Sequence, residues 1–302
     1  MLKLDEKKIR KGRPIGLPYQ GSKKKISKKI VEIIKQNFGT DKPIYDIFGG
    51  GGAITAECIL NGLEVHYNDL DKDITNAFER VISQDREWIK TLIVSRDEFF
   101  EIKAKENKTT DDFLKLLVNS FGNDKRSYLY SKEISDLKYN LAKEIIKKHD
   151  VFSGYKQTET YKRSIEKYKQ LEQLQQLQQL ERLEQLERLE QLERLQQLQK
   201  LNKIKATNKS YHTFSEVYGA ILYLDPPYEG TSQKGYINQF DSQEFYDWAF
   251  EIAKTNIVII SSYSISDERF EVVYSFDKAR STLQGGENIK GKNEKLFMVK
   301  NS

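Results

Sequence analysis

Asp225-Pro226-Pro227-Tyr228 gathers a carboxylate, an unpaired proline carbonyl and an aromatic ring within four residues. That set suits one task well, holding a planar base that carries an exocyclic amine. Asp225 and the Pro226 carbonyl can each accept a hydrogen from the amine, and Tyr228 can stack on the face of the base. Stacking combined with edge recognition is how enzymes hold a base taken out of a duplex. The bland reading of the same four residues is a strand-ending turn with a solvated acid.

The element that must position this loop is the apolar run Ala220–Leu224, which reads as a buried strand. Two prolines cannot continue it, so the chain turns where the carboxylate appears. Asp225, preceding a proline, is biased to extended backbone. The loop should therefore be stiff and sit at the carboxyl end of a core strand.

A second constellation lies upstream. Ile44–Phe48 reads as a strand, Gly49-Gly50-Gly51-Gly52 as a turn and Ala53 to about Leu60 as a helix. Leu63–Tyr67 is then a second strand, closing on Asn68-Asp69. Strand, glycine turn, helix, strand and acid is the layout of the nucleoside-binding half of a doubly wound sheet. Glycines let the backbone approach a ligand, and an acid after the second strand can accept both ribose hydroxyls. A dinucleotide fingerprint wants a third glycine three residues after the second, and from Gly52 that position is Thr55. That weakens the dinucleotide reading, whereas S-adenosylmethionine needs the same ribose acid but has no pyrophosphate and so does not need that pattern. Earlier still, Leu17–Lys23 is a small-residue turn opening a helix from about Ser22 to Phe38, whose first amides could hold a carboxylate.

Between these blocks, residues 71–108 read as helical, as do Phe113–Val118 and Lys132–Lys148. Asn119–Tyr130 mixes amides, basic groups and aromatics, the chemistry that grips phosphates and reads bases. Asn123, Lys125, Arg126 and Tyr128 are its candidate nucleic-acid contacts. From Leu171 to Leu201 leucine recurs at every third position, separated by Glu, Gln, Arg and finally Lys. Three residues turn an α-helix by about 300°, so successive leucines lag by about 60° and circle it. No fixed apolar face results, and a regular coiled coil is not expected. A continuous helix over 161–205 would be a projecting rod on the order of 65–70 Å long. It reads as a tolerated insertion, with self-association the less favoured alternative. Beyond the Asp-Pro-Pro-Tyr loop come a polar loop from Glu229 to Phe240, a helix over Ser242–Lys254 and a buried strand at Asn256–Ile260. Phe270–Phe276 and Glu294–Lys300 read as the closing strands, joined by a basic loop, Arg280–Asn293.

The bulk properties are permissive. The chain has 302 residues, enough for one large α/β domain and a smaller one. Its formal charge of +5 and pI near 8.8 allow nucleic-acid binding without requiring it. A single cysteine, Cys58, rules out a disulfide scaffold. With no signal-like or spanning apolar run, a cytoplasmic location is expected. His66, His149 and His212 show no ligand spacing, so no metal is expected.

Taken together, Tyr19–Lys23, Asp46–Gly52, Asp69 and Asp225–Tyr228 resemble, in order and content, a Dam-like (D12 class) DNA adenine-N6 methyltransferase. Ser22 stands where that family commonly has glycine. The resemblance implies a doubly wound, seven-stranded, mostly parallel sheet with a final antiparallel strand and a small helical target-recognition domain. It divides the chain into a catalytic domain (1–108 and 208–302), a recognition domain (109–158) and the leucine-rich insert (159–207). By the same resemblance Tyr19 and Lys23 would flank the methionine end of S-adenosylmethionine. Phe48, Gly50 and Gly52 would line its pocket, Asp69 would bind its ribose, Asp225 would also contact it, and Asp225, Pro226 and Tyr228 would hold the target adenine in double-stranded DNA. A cognate restriction endonuclease is an implied partner. Methylation of cytosine N4 or of an RNA or protein amine, and a non-catalytic DNA-binding relative, are the alternatives.

Overall fold

The computed structural model describes residues 1–19, 21–171, 174–200, 204–229, 240–276 and 293–300. Most of the polar loop after Glu229 and of the basic loop before Asn293 lies outside the described residues. The chain forms two compact units. One comprises 1–15, 22–78 and 200–302, the other 16–21 and 79–199.

The first unit is built on a seven-stranded sheet. Its strands are β1 (Ile44–Asp46), β2 (Val65–Asn68), β3 (Ala206–Thr207), β4 (Ile221–Leu224), β5 (Ile257–Ser262), β6 (Phe270–Ser275) and β7 (Lys295–Val299). Their order is β3-β2-β1-β4-β5-β7-β6. The pairs from β3 across to β5 are parallel, whereas β7 runs antiparallel to both β5 and β6. β4 is buried at every position, as expected of an apolar strand covered on both faces. One face carries the helix Ser242–Ile252, whose Phe245, Trp248, Ala249 and Ile252 pack with Leu222, Leu224, Val258 and Ile260. Helices α1 (Ser27–Phe38) and α2 (Ala53–Leu60) pack on each other, and α3 (Lys72–Ser83) follows β2. The order of strands reverses between β1 and β4, and in open α/β sheets ligands bind outside the carboxyl ends of strands at such a reversal.

The second unit is helical: α4 (Arg86–Lys90), α5 (Arg96–Ala104), α6 (Thr110–Asn119), α7 (Lys132–His149), α8 (Glu159–Gln170), α9 (Leu174–Leu180) and α10 (Glu184–Gln197). Its start, within α3, precedes the boundary expected at 109, because α4 and α5 pack with the helices that follow them. The leucine repeat belongs to this unit, and the projecting rod is corrected. Instead of one helix, the segment breaks into α8, α9 and α10. Leu180, Leu183, Leu186, Leu189, Leu192, Leu195 and Leu198 are all 0–2% exposed. The four leucines from Leu186 to Leu195 sweep about half the circumference of α10, and α4, α6 and α7 pack around it. A helix enclosed on several sides does not need a single apolar face. The leucines from Leu180 to Leu198 thus lie in the core of this unit, whereas Leu171 is exposed.

No helix of the described residues is long and apolar enough to cross a membrane.

Candidate active site

Neighbouring parallel strands put the two chemical constellations side by side. Asp46, the last residue of β1, is in register with Tyr223 of β4, and the Ile47 amide donates to the Tyr223 carbonyl at 3.3 Å. The glycine turn and the Asp225–Tyr228 loop therefore leave the same edge of the sheet.

The turn is held by its acids. Asp46 Oδ2 accepts from the amide (3.1 Å) and the hydroxyl (2.7 Å) of Thr55, tying the strand end to the first turn of α2, where free amides are available. Burial pushes the Asp46 carboxyl up to about 7 against those hydrogen bonds. Asp69 accepts from the amides of Gly50 (2.7 Å) and Asp71 (2.8 Å), one on each oxygen. Burial lifts Asp69 to about 6, and the two amides pull it down. Two of the glycines are required by packing. A Cβ on Gly49 would come within 2.4 Å of the Tyr67 ring, and one on Gly52, at φ +72°, within 2.3 Å of the Phe78 ring. Those rings stack at 4.2 Å, and the Tyr67 hydroxyl donates to the Gly50 carbonyl. Phe48 meets Tyr211, Phe240 and Phe245. Asn68 was not singled out by sequence, yet its side chain donates to the carbonyls of Ile47 and Lys209 and joins the ends of β1 and β2.

Asp225 sits in a charged cluster. Lys23 Nζ lies 2.8 Å from Asp225 Oδ2 and 2.5 Å from the Tyr228 hydroxyl. That hydroxyl is 3.2 Å from Asp225 Oδ1 and 2.6 Å from Glu294 Oε1, which also accepts from Ser261 Oγ at 2.7 Å. One hydroxyl proton serves one acceptor, and the shorter contact assigns it to Glu294. Burial raises the Asp225 carboxyl to about 6; Lys23 opposes the rise and Glu294 adds to it. Burial works against the charge of Lys23, but Asp225 and Glu294 outweigh it and hold its pKa above the usual lysine value. Burial, with the charges of Asp225 and Glu294, keeps the Tyr228 phenol protonated. Among the described residues nothing donates to the Pro226 carbonyl.

The structure thus gathers Lys23, Asp225 and Tyr228, and adds Glu294 and Ser261, which sequence reasoning missed. Lys23 stands on a short 3₁₀ turn, Lys23–Lys25, rather than in the first turn of an α-helix, and its side chain meets a carboxylate of the protein itself. Tyr19 falls in the 16–21 segment of the second unit, so its cofactor role rests on the resemblance alone.

In the helical unit, Asn119–Tyr130 forms a tight hairpin. Ser120 bridges Tyr128, Phe121 N donates to Ser127 O, and Leu129 N donates to Asn119 O. Its tip uses left-handed backbone at Gly122, Asn123 and Lys125. Of the four proposed contacts, Arg126 is exposed and Lys125 lies over the Phe113 ring. The Asn123 Oδ1 atom is buried. Tyr128 is corrected: it is 5% exposed, packs with Phe99, Leu116 and Tyr130, and donates its hydroxyl to Val94 O. A core side chain so anchored cannot reach a base. The exposed aromatic of the hairpin is Phe121, at 57%.

Among the described residues no cluster of His, Cys, Asp or Glu could hold a metal ion. A family model described as D12 class N6 adenine-specific DNA methyltransferase matches residues 19–296. Among curated proteins none matches the chain.

Proposed function

This chain belongs to the D12 class N6 adenine-specific DNA methyltransferase family, and from that premise we propose that it transfers a methyl group from S-adenosylmethionine directly to N6 of an adenine turned out of double-stranded DNA. The observation that carries the proposal is the placement of the Asp225 loop and the glycine turn at the carboxyl ends of adjacent parallel strands.

The residues fit the cofactor. Asp69 uses one lone pair on each oxygen for a backbone amide and keeps the others for ribose hydroxyls. Gly49 and Gly52 permit a turn that no side chain could share with Tyr67 and Phe78. Phe48, Gly50 and Gly52 would line the pocket, with Lys23 toward the methionine end. When bound, the cofactor supplies an electrophilic methyl on a sulfonium.

The protein's task is then positioning. The adenine amine is a poor nucleophile because its lone pair is delocalised into the ring. Hydrogen bonds from that amine to Asp225 and the Pro226 carbonyl favour a pyramidal nitrogen with its lone pair free to react. With a carboxyl pKa of about 6, Asp225 is mostly ionised at neutral pH and able to accept. Lys23 fixes the carboxylate, and the Tyr228 ring supplies a stacking surface worth roughly 1–3 kcal/mol. Positioning and electrostatics supply most of the acceleration in such a reaction. On the helical unit, the hairpin tip with Phe121, Lys125 and Arg126 carries the chemistry for contacting the duplex.

The test uses tritium-labelled cofactor and unmethylated DNA, with nuclease digestion and base analysis of the product. Label should appear in N6-methyladenine. Asp225→Ala should lose methyl transfer while binding cofactor nearly as well as the parent; near-normal turnover by that variant sinks the assignment.

A further inference from the structure

The leucine repeat is unexplained by the reaction, yet one turn of it makes a connected set of polar contacts in the helical unit. Gln185 is fully buried on α10. Its Nε2 reaches Asn119 Oδ1 at 2.6 Å, Val94 O at 3.0 Å and the Tyr128 hydroxyl at 3.2 Å, and its backbone amide donates to the Tyr130 hydroxyl at 3.1 Å. Asn119, Tyr128 and Tyr130 are the two stems of the hairpin. Three residues on, Arg188 Nη1 donates to the carbonyls of Val118 (2.5 Å), Ser120 (2.8 Å) and Leu117 (3.2 Å). It thereby caps the carboxyl end of α6, where carbonyls lack helical partners and a cation is favoured, at the point where the chain enters the hairpin.

Gln185 is a poor choice for stability alone. Its Oε1 is buried without a partner among the described residues, and an apolar side chain of equal volume would leave no such orphan. What the amide adds is a fixed geometry, since buried polar groups can specify one arrangement among several apolar ones.

We propose that Gln185 and Arg188 are positioning residues for DNA recognition: the repeat fixes the base of the hairpin whose tip presents Phe121 and Arg126. This rests on the functional reading above. The repeat is then part of the recognition apparatus, and its polar positions matter at two places and little elsewhere.

The sequence dictates how to test it. Leu183–Arg188 and Leu189–Arg194 are the same six residues, so slippage by one such unit could bring Gln191 to the place of Gln185. The variants are therefore Gln185→Met, the double Gln185→Met/Gln191→Met, which blocks that rescue, and Gln197→Met, the same change at an exposed position of α10. In the full-length protein, amide exchange over 119–130 should accelerate in the double variant and stay unchanged in Gln197→Met. The KM for DNA should rise about tenfold in the double variant, the scale expected when buried hydrogen-bond partners are left unpaired. Mapping of methylated bases should show relaxed sequence preference. Cofactor affinity and kcat at saturating DNA should stay within about twofold of the parent. Unchanged hairpin exchange, or faster exchange with the DNA KM and methylation pattern intact, overturns the proposal. A parent protein that transfers no methyl group to DNA would instead remove the functional reading, an outcome the same assay separates.

Discussion

Replacing Glu294 by glutamine should move the acid limb of the methylation pH profile downward. Asp225 Oδ1 and Glu294 Oε1 lie 3.2 and 2.6 Å from one tyrosine hydroxyl, which holds the two carboxylates within about 6 Å. At that separation, with an effective dielectric constant near 20, like charges repel by about 3 kcal/mol, or about two pKa units. The carboxylate side chains are 17% and 12% exposed, and that residual solvent trims the expectation to one to two units. The sign follows from the charge: Glu294 disfavours the ionised form of Asp225, so its neutralisation stabilises that form. The acid limb of kcat/KM should fall from near 6 in the parent to about 4–5 in Glu294→Gln. Glutamine keeps an oxygen able to accept from Tyr228 and Ser261, so the rate at pH 8 should change little. Glu294→Ala removes the acceptor that Tyr228 and Ser261 share, and its rate at pH 8 should drop about tenfold. An acid limb that stays in place, or moves up, in Glu294→Gln would refute the electrostatic account of the site.

Two further outcomes concern stability. Asp46, with its carboxyl pKa raised to about 7 by burial from an ordinary 3.8, contributes stability that is complete below about pH 4 and lost as pH rises through 7. Asp46→Asn can still accept from Thr55 but never ionises, so urea unfolding should show it gaining on the parent between pH 4 and 7, by up to about 4 kcal/mol. Parallel stability curves would contradict this. Leu189 is fully buried on α10, and Leu189→Ala should cost about 2–5 kcal/mol of unfolding free energy; a loss near zero would restore the projecting rod.

What the sequence disclosed, and what it hid, follows the range of the forces involved. The Asp225 loop and the glycine turn were legible because prolines, glycines and strand ends act within a few residues. Glu294 was not, because it lies 66 residues beyond Tyr228 and is delivered by the antiparallel register that sets Ser262 opposite Lys295. Phe121 and Tyr128 belong to one short hairpin with opposite fates, and pairing register, which a loop composition does not contain, decides which ring turns inward. The leucine spacing was read correctly as lacking a single face. The inference that it must then project failed because it assumed one neighbour, whereas α10 has several.

The electrostatics of the carboxyl edge bear on the choice of cofactor. Asp46, Asp69 and Asp225 end β1, β2 and β4 or follow them directly, and the charge of Asp225 raises the carboxyl pKa of each of the other two. Glu294 adds a fourth acid, while Lys23 is the cation that pairs with Asp225. A site so arranged repels an anionic dinucleotide and is complementary to a ligand carrying positive charge. On the proposed reading the sulfonium of S-adenosylmethionine would supply that charge, and methyl transfer would remove it. The same carboxylates would then favour the demethylated product less than the cofactor, which would help the product to leave.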